Sequence, residues 1–545
     1  MSSAALVQLM ATGASDASII DPVNGSTFWS TNVKPHTPFS MESVELVFNG
    51  VSDFNRTATV DLVRSCDLMH SMHLQVLLPP ISLSYATSTG IVGGNAIGFS
   101  WARDFGHKMI DNVYITVGSL QIDKHYGPWL AIWAQLTIHE SKAFGYGRMV
   151  GDSNMSKEPL TQKLFGKTVG TITSPTGAVA NTLYPAASDF AANVYATNAS
   201  GSALSGTVTT GGAGFLTSTM LYVPLQFWFN RVPGLALPLV ALQFHQVHLQ
   251  FTFSNISTLN GYGLANPGTT YTPVLSLPQI AIGSSSPIGI TAAGSLTSSQ
   301  LSGATSIRLF GTNINLGAAE RTAFASKQQK YLIEQLQMSS GDSLTSSNQT
   351  VQLQLSHPVK FLAWTARPAP GAADADRHDF QLYSSAETTS AFSTPMSTGS
   401  SALGCVLGVT GTNHLSNGAS NALLAASSAT AACGVSPLAL VGLKFNSSDR
   451  FLARDGSYFN LVQPYDHFTR IPTDAGIHVY SFALDPTRSQ PTGSANFSRL
   501  DTVSMVLTPR FTGQLSTYPL QFTYYAVNLN TFVVSGGMGG IAWAN

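Results

Sequence analysis

Charge is the scarcest ingredient of this sequence. Asp, Glu, Lys and Arg make up 10% of 545 residues, against about 25% in an ordinary soluble protein. The shortfall carries no sign: 26 basic residues face 27 acidic ones, for a net charge of −1. That balance excludes the basic footprint of a nucleic-acid or anionic-membrane binder. Cysteine is almost absent. Cys66, Cys405 and Cys433 are isolated and odd in number, which speaks against a zinc site or a disulfide framework and suits synthesis in a reducing compartment. Long apolar runs are missing too. The longest, from Leu221 to Phe244, is broken by Arg231, Pro233 and Pro238, so no membrane span is expected. The N-terminus lacks a basic n-region and an apolar h-region, so no signal peptide is expected. No P-loop, GxSxG, HExxH or strand-following GxGxxG occurs, which removes the common phosphate, nucleophile, zinc and dinucleotide signatures.

What replaces the charge is Ser, Thr, Asn, Gln and 48 Gly, around a hydrophobic fraction of 44%. Charged residues are depleted where proteins meet, so this composition suits a protein packed against its own copies. It equally suits a secreted β-protein with a neutral hydroxyl-rich surface, and composition does not separate the two.

Alternation dominates the pattern. Val247, Leu249, Phe251 and Phe253 alternate with polar residues, as do Met72, Leu74, Val76 and Leu78. Val113-Ile115-Val117, Val351-Leu353-Leu355, Val503-Met505-Leu507 and Leu520-Phe522-Tyr524 repeat it. A period of two predicts strands with one core face. Tyr524 and Tyr525 fall on opposite faces of one strand, so at least one should meet solvent or a partner. Helical spacing is rare. Trp129, Ile132, Trp133 and Leu136 give one case behind Pro128, a favourable first helical residue; a second helix is expected over 318–326. Phe227, Trp228 and Phe229 precede the Arg231-Val232-Pro233-Gly234 turn and read as core and corner packing. Many strands with few helices predict an all-β sandwich with helical decorations.

Residues 256–307 and 388–443 contain no Asp, Glu, Lys or Arg, and residues 168–220 contain only Asp189. Their Tyr184, Phe190, Tyr195, Leu403, Val406 and Leu423 argue for ordered inserts rather than disorder, and loops this long are usually functional. No short-period repeat is visible, so any domain duplication has lost its sequence symmetry. In the first 25 residues, Ala4, Leu6, Leu9 and Met10 offer a small apolar stripe, too weak for an isolated helix.

Candidate chemical sites are few. His70 with His73, and His245 with His248, are spaced i, i+3, which on a strand sends them to opposite faces and prevents chelation of one ion. Asp466-His467 with Ser457 invites a triad, but Pro464 and Pro472 bracket a turn-rich connection there. Eight N-x-S/T sequons occur, at Asn24, Asn55, Asn154, Asn198, Asn255, Asn348, Asn446 and Asn496; Asn198, inside a long insert, is the preferred glycosylation candidate. The residues alone leave open a lectin, with Tyr184 and Asp189 on a loop, and a β-sandwich glycoside hydrolase, which needs two carboxylates about 5–10 Å apart.

Seven blocks, in order, resemble the major capsid proteins of nucleocytoplasmic large DNA viruses, the group of iridoviruses, phycodnaviruses and marseilleviruses. They are Asp67–Pro79; Gly118–Tyr126 with the Trp129 helix; VPLQFWFNRVPGLALPLVALQFHQV from Val223 to Val247; Tyr331–Gln337 with His357–Lys360; YFNLVQPYDHFTRIP from Tyr458; VYSFALDPTRSQPTGSANFSRLD from Val479; and the terminal SGGMGGIAWAN. The three charge-poor stretches contain no such block and read as lineage-specific loops.

The resemblance implies two tandem eight-stranded jelly rolls, the first over about 26–317 with the 168–220 insert and the second over 318–545 with the 388–443 insert. It implies a homotrimer whose six jelly rolls present a pseudo-hexagonal outline and tile an icosahedral shell beside neighbouring capsomers. Minor capsid and penton proteins are the expected partners, and residues 1–25 an arm that docks on them or on a neighbouring subunit. No catalytic residue, cofactor or metal is expected, nor direct nucleic-acid contact; an internal membrane enters only indirectly. The expected location is the virion, assembled in the host cytoplasm.

Overall fold

Alternating sequence becomes strand at every segment expected, though only in part at Val351-Leu353-Leu355, and the strands sort into two sets of paired sheets. The computed structural model describes residues 35–78, 104–151, 219–254, 306–368, 436–509 and 520–543. It also describes positions 4, 7, 10 and 11, and strand backbone at 81–83, 96–101, 164–165, 214–216, 260–265, 279–281 and 288–291. Residues 1–40 and 41–545 form separate compact units. In the first, Ala4, Val7 and Met10 are helical and exposed. The three charge-poor inserts lie largely, and Asn198 entirely, outside the described residues.

The first set of strands is β1 (Phe39–Leu46), β2 (Phe48–Asn49), β3 (Thr57–Leu62), β4 (Leu68–Leu78), β5 (Ile110–Val117), β6 (Leu120–Tyr126), β7 (Thr219–Pro224), β8 (Val247–Phe253) and β9 (Ser306–Leu316). Sheet A runs β1-β9-β4-β7 and sheet B runs β2-β3-β8-β5-β6. The second set is β10 (Gln329–Leu344), β11 (Gln349–Gln352), β12 (Pro358–Pro368), β13 (Leu438–Phe445), β14 (Ser448–Asp455), β15 (His478–Ser481), β16 (Ala495–Asn496), β17 (Val503–Pro509), β18 (Leu520–Ser535) and β19 (Met538–Ile541). Sheet C runs β10-β18-β12-β15, with β16 on β12 and β19 on β18, and sheet D runs β11-β17-β13-β14. In A the first strand of the set pairs with the last, β9, and in C the first pairs with the last long strand, β18, so the two halves repeat one strand order. This is a double jelly roll.

Each half closes over its own core. Leu74, Val76, Val113, Ile115, Leu249 and Phe251 meet between sheets A and B; Leu362, Trp364, Leu443, Met505, Leu507, Phe522 and Tyr524 meet between C and D. The strict in-out burial of β8 and β17 is the physical meaning of their period of two. β11 stops short of the alternation that continues through Leu355. His357 takes a left-handed φ of 63°, which turns the chain into β12.

The two expected helices form as read: α1 (Gly127–Thr137), with Pro128 in its first turn, and α4 (Ala318–Ser326). Arg321 ties α4 to the first half through Asp67 at 2.9 Å. Three others complete the set used here: α2 (Glu140–Val150), α3 (Trp228–Arg231) and α5 (Gln463–His467). The last corrects the turn-rich connection expected around Asp466. Pro464 stands inside a helical run over 456–467 without ending it, because the wider turn just before it makes room for a residue that lacks an N–H. A π-turn over Tyr458–Val462 leads into it.

Candidate functional site: the seam between the jelly rolls

The apolar stripe of α1 does not face its own sandwich. Trp129, Ile132, Trp133 and Leu136 cover the outer face of sheet C, against Phe361 and Ala363 of β12, Val479 of β15, and Tyr525 and Val527 of β18. Trp129 stacks on Phe361 at 6.1 Å between centroids and approaches Tyr525 at 5.6 Å; Trp133 stacks on Phe361 at 6.2 Å. Such aromatic contacts add to the area they remove from water. Tyr525 is therefore buried. The expectation that Tyr524 or Tyr525 meets solvent is overturned, because a helix from the other half of the same chain fills the second face.

A buried charge cluster runs beside the aromatics. Glu334 of β10 accepts from Lys360 Nζ at 2.6 Å and pairs with Arg231 of the first half at 2.8 Å. Lys360 Nζ also donates to the Arg488 carbonyl at 2.8 Å. The Arg231 guanidinium lies over Trp133, 4.7 Å from the ring centroid. Lys360 has no exposed surface. Burial holds its ammonium below the usual lysine range, and Glu334 beside it works the other way. A carboxylate held by two cations in low dielectric fixes geometry more than it adds net stability.

Side chains stand in for backbone where β6 and β10 meet. Leu336 N–H donates to Asp123 Oδ1 at 3.0 Å, and Gln335 Nε2 donates to the Ile122 carbonyl. One backbone N–H and one carbonyl on the facing edges of sheets B and C are thereby satisfied across the seam, which eases the liability of an unpaired strand. At the end of α1, Arg470 N–H donates to the Leu136 carbonyl at 3.2 Å and Gln135 Nε2 to Asp474 at 2.9 Å. The C-terminal hairpin closes the far side. Gly536 and Gly537, both at positive φ, make the tight turn between β18 and β19. A Cβ on Gly539 would sit 2.7 Å from the Leu242 side chain of the first half, so a larger residue here would have to push that side chain aside.

The residues singled out from sequence serve packing. His70 Nδ1 lies 2.6 Å from the Phe229 carbonyl, while His73 stacks on Phe310. His248 pairs with Asp61, and His245 sits 3.1 Å from the Gly539 carbonyl. Neither histidine pair shares a partner, and no group of three metal-ligating side chains occurs among the described residues. The Ser457, Asp466 and His467 side chains do not assemble. His467 reaches the Leu484 carbonyl, and Ser457 N–H donates to Asp455. Phe227, Trp228 and Phe229 are buried in the first core, as expected. Cys66 is buried and free, its thiol pushed up to about 11 by burial and by Asp67; Cys405 and Cys433 lie outside the described residues. Of the sequons, Asn446 and Asn496 accept from the N–H groups of Thr502 and Ser498. Sequence reasoning missed the Arg231–Glu334–Lys360 cluster, whose members lie far apart in the chain.

Two family models match, one described as the large eukaryotic DNA virus major capsid protein over residues 320–540, the other as the major capsid protein N-terminus over 27–272. The major capsid protein of Phaeocystis pouchetii virus is 32% identical, with 99% of each chain covered. That of Paramecium bursaria Chlorella virus 1 is 27% identical, again with 99% of each covered. Among solved structures, a quasi-atomic model of the PBCV-1 virus capsid superposes with a TM-score of 0.60, at 24% identity, over 95% of this chain and 100% of that one. The Faustovirus major capsid protein gives 0.59 at 14% identity, over 97% and 96%.

Proposed function

The chain belongs to the family of large eukaryotic DNA virus major capsid proteins, and from that premise we propose that it works as a homotrimer whose six jelly rolls make one pseudo-hexagonal capsomer. Building the icosahedral shell is its function, and the virion is its place. In this reading residues 26–317 and 318–545 are the two jelly rolls, and 1–25 an arm that docks on minor capsid proteins or on a neighbouring subunit. Penton proteins and adjacent capsomers are its other partners, assembly takes place in the host cytoplasm, and the protein has no catalytic step.

The observation that carries the reading is the seam. A helix of one roll fills the outer face of the other roll's sheet, so the two are held side by side as a single building block. A net charge of −1 supports a coat that leaves the genome to other layers. Glycosylation at Asn198 belongs to the same proposal and is read from intact mass after glycosidase treatment.

Light scattering after size exclusion tests it. A species of three times the 57.5 kDa chain, unchanged on dilution, is the expected result; a stable monomer contradicts it.

A further inference from the structure

The seam has an unfilled twin. Gly127 follows β6 and Gly456 follows β14, the corresponding strands of sheets B and D. A Cβ on Gly127 would lie 2.3 Å from the carbonyl of Ile110, the first residue of β5; on Gly456 it would lie 2.2 Å from that of Leu438, the first residue of β13. Both close approaches exclude any larger residue, so the two helices leave their rolls in the same way. Three residues on, Leu130 enters the first core and Phe459 the second. Five, six and nine residues after Gly127 stand Ile132, Trp133 and Leu136, all buried in the seam. At the same spacing after Gly456 stand Leu461, Val462 and Tyr465, which are 50%, 42% and 76% exposed.

The receiving surface is repeated as well. Sheet A matches sheet C strand for strand, yet no helix lies over its outer face among the described residues. Met220 and Tyr222 of β7 are each 38% exposed there. Beside them His73 of β4 stacks on Phe310 of β9 at 5.5 Å, leaving a partly apolar, aromatic strip on the face that in sheet C is sealed.

Resting on the capsomer reading above, we infer that Leu461, Val462 and Tyr465 of one copy dock on the outer face of sheet A, at His73, Met220 and Tyr222, of a second copy. The intramolecular seam is thus repeated between subunits. The occupant is a second copy because the chain already carries both halves of this contact, and uses one such pair internally. A head-to-tail contact of this kind closes into a ring when its rotation allows. Alternating internal and external seams close such a ring at six rolls when three copies join.

The test replaces Tyr465 in the full chain with p-benzoylphenylalanine, an aromatic of similar shape, and irradiates the purified protein. The expected product is a covalent dimer on a denaturing gel, with the label attached to peptides spanning 68–78, 219–224 or 306–316. Attachment to the second jelly roll overturns the inference. Leu461→Asp with Tyr465→Asp is expected to lower the solution mass threefold without loss of the near-ultraviolet signature of the cores. A variant that stays trimeric overturns the inference while leaving the capsomer reading intact. A wild-type monomer removes both. Should the double variant unfold, the cross-linked peptides decide.

Discussion

Sheets A and C share one strand order, but among the described residues a helix covers the outer face of C and none that of A. Their sequences record the difference. Along β12 and β18 of sheet C, Lys360 to Ala366 and Phe522 to Val527 are buried without interruption, so neighbouring residues face two different cores. Along β4 of sheet A, His73, Gln75 and Leu77 alternate with fully buried Leu74, Val76 and Leu78. A strand with one core face alternates, and one with two reads as an apolar run. Aromatic Tyr525 beside Tyr524 is the local sign of the second core.

The largest effects should fall on the covered sheet. Trp133→Ala opens a cavity between α1 and sheet C and also removes the plane beneath Arg231; a cost of about 3–5 kcal/mol in the isolated chain is expected. Val462→Ala, at the matching position on the bare side, should change that stability by less than about 0.5 kcal/mol. Equal costs in denaturant titrations would break the comparison.

Glu334→Leu leaves Lys360 buried and Arg231 part-buried without their shared counter-charge, for an expected loss of about 3–5 kcal/mol. Adding Arg231→Met and Lys360→Met should recover most of it, since the charges give geometry rather than net stability. If the triple variant stays as unstable as the single one, the cluster supplies more than alignment.

Acid should then weaken sheet C more than sheet A. Burial lowers His478 of β15 from 6.5 to about 4. Its folded form is neutral, so the unfolded chain binds the extra proton between those values. The stabilisation is complete above pH 6.5 and is lost as pH falls towards 4, by ~3 kcal/mol at 1.36 kcal/mol per unit. Burial also lowers His73 on sheet A, but that ring is half-exposed and its contribution smaller. Unfolding of the His478→Gln protein between pH 7 and pH 4 should show a shallower slope than the wild type.

Much of this arrangement could be read from the chain. The strands announced themselves by period, and Pro128 with the Trp129–Leu136 spacing marked α1 and its apolar face. What that face covers could not be read, because a helical stripe specifies a neighbour and not which one. The helix after β14 was hidden by Pro464, which a helix tolerates when the turn before it widens, as the π-turn over Tyr458–Val462 does. The duplication survives at one glycine and a few apolar positions, since packing demands shape there and only hydrophobicity elsewhere. The charge cluster needed the fold itself, which brings Arg231 to a carboxylate a hundred residues on.

Oxidative footprinting of the capsomer and of the dissociated chain tests the central claim most directly, that one seam design is used within and between subunits. Trp129, Trp133 and Tyr525 should resist hydroxyl radicals in both states, whereas Tyr465, Met220 and Tyr222 should resist them only in the assembled one. Oxidation of those three to the same extent in both states would contradict it.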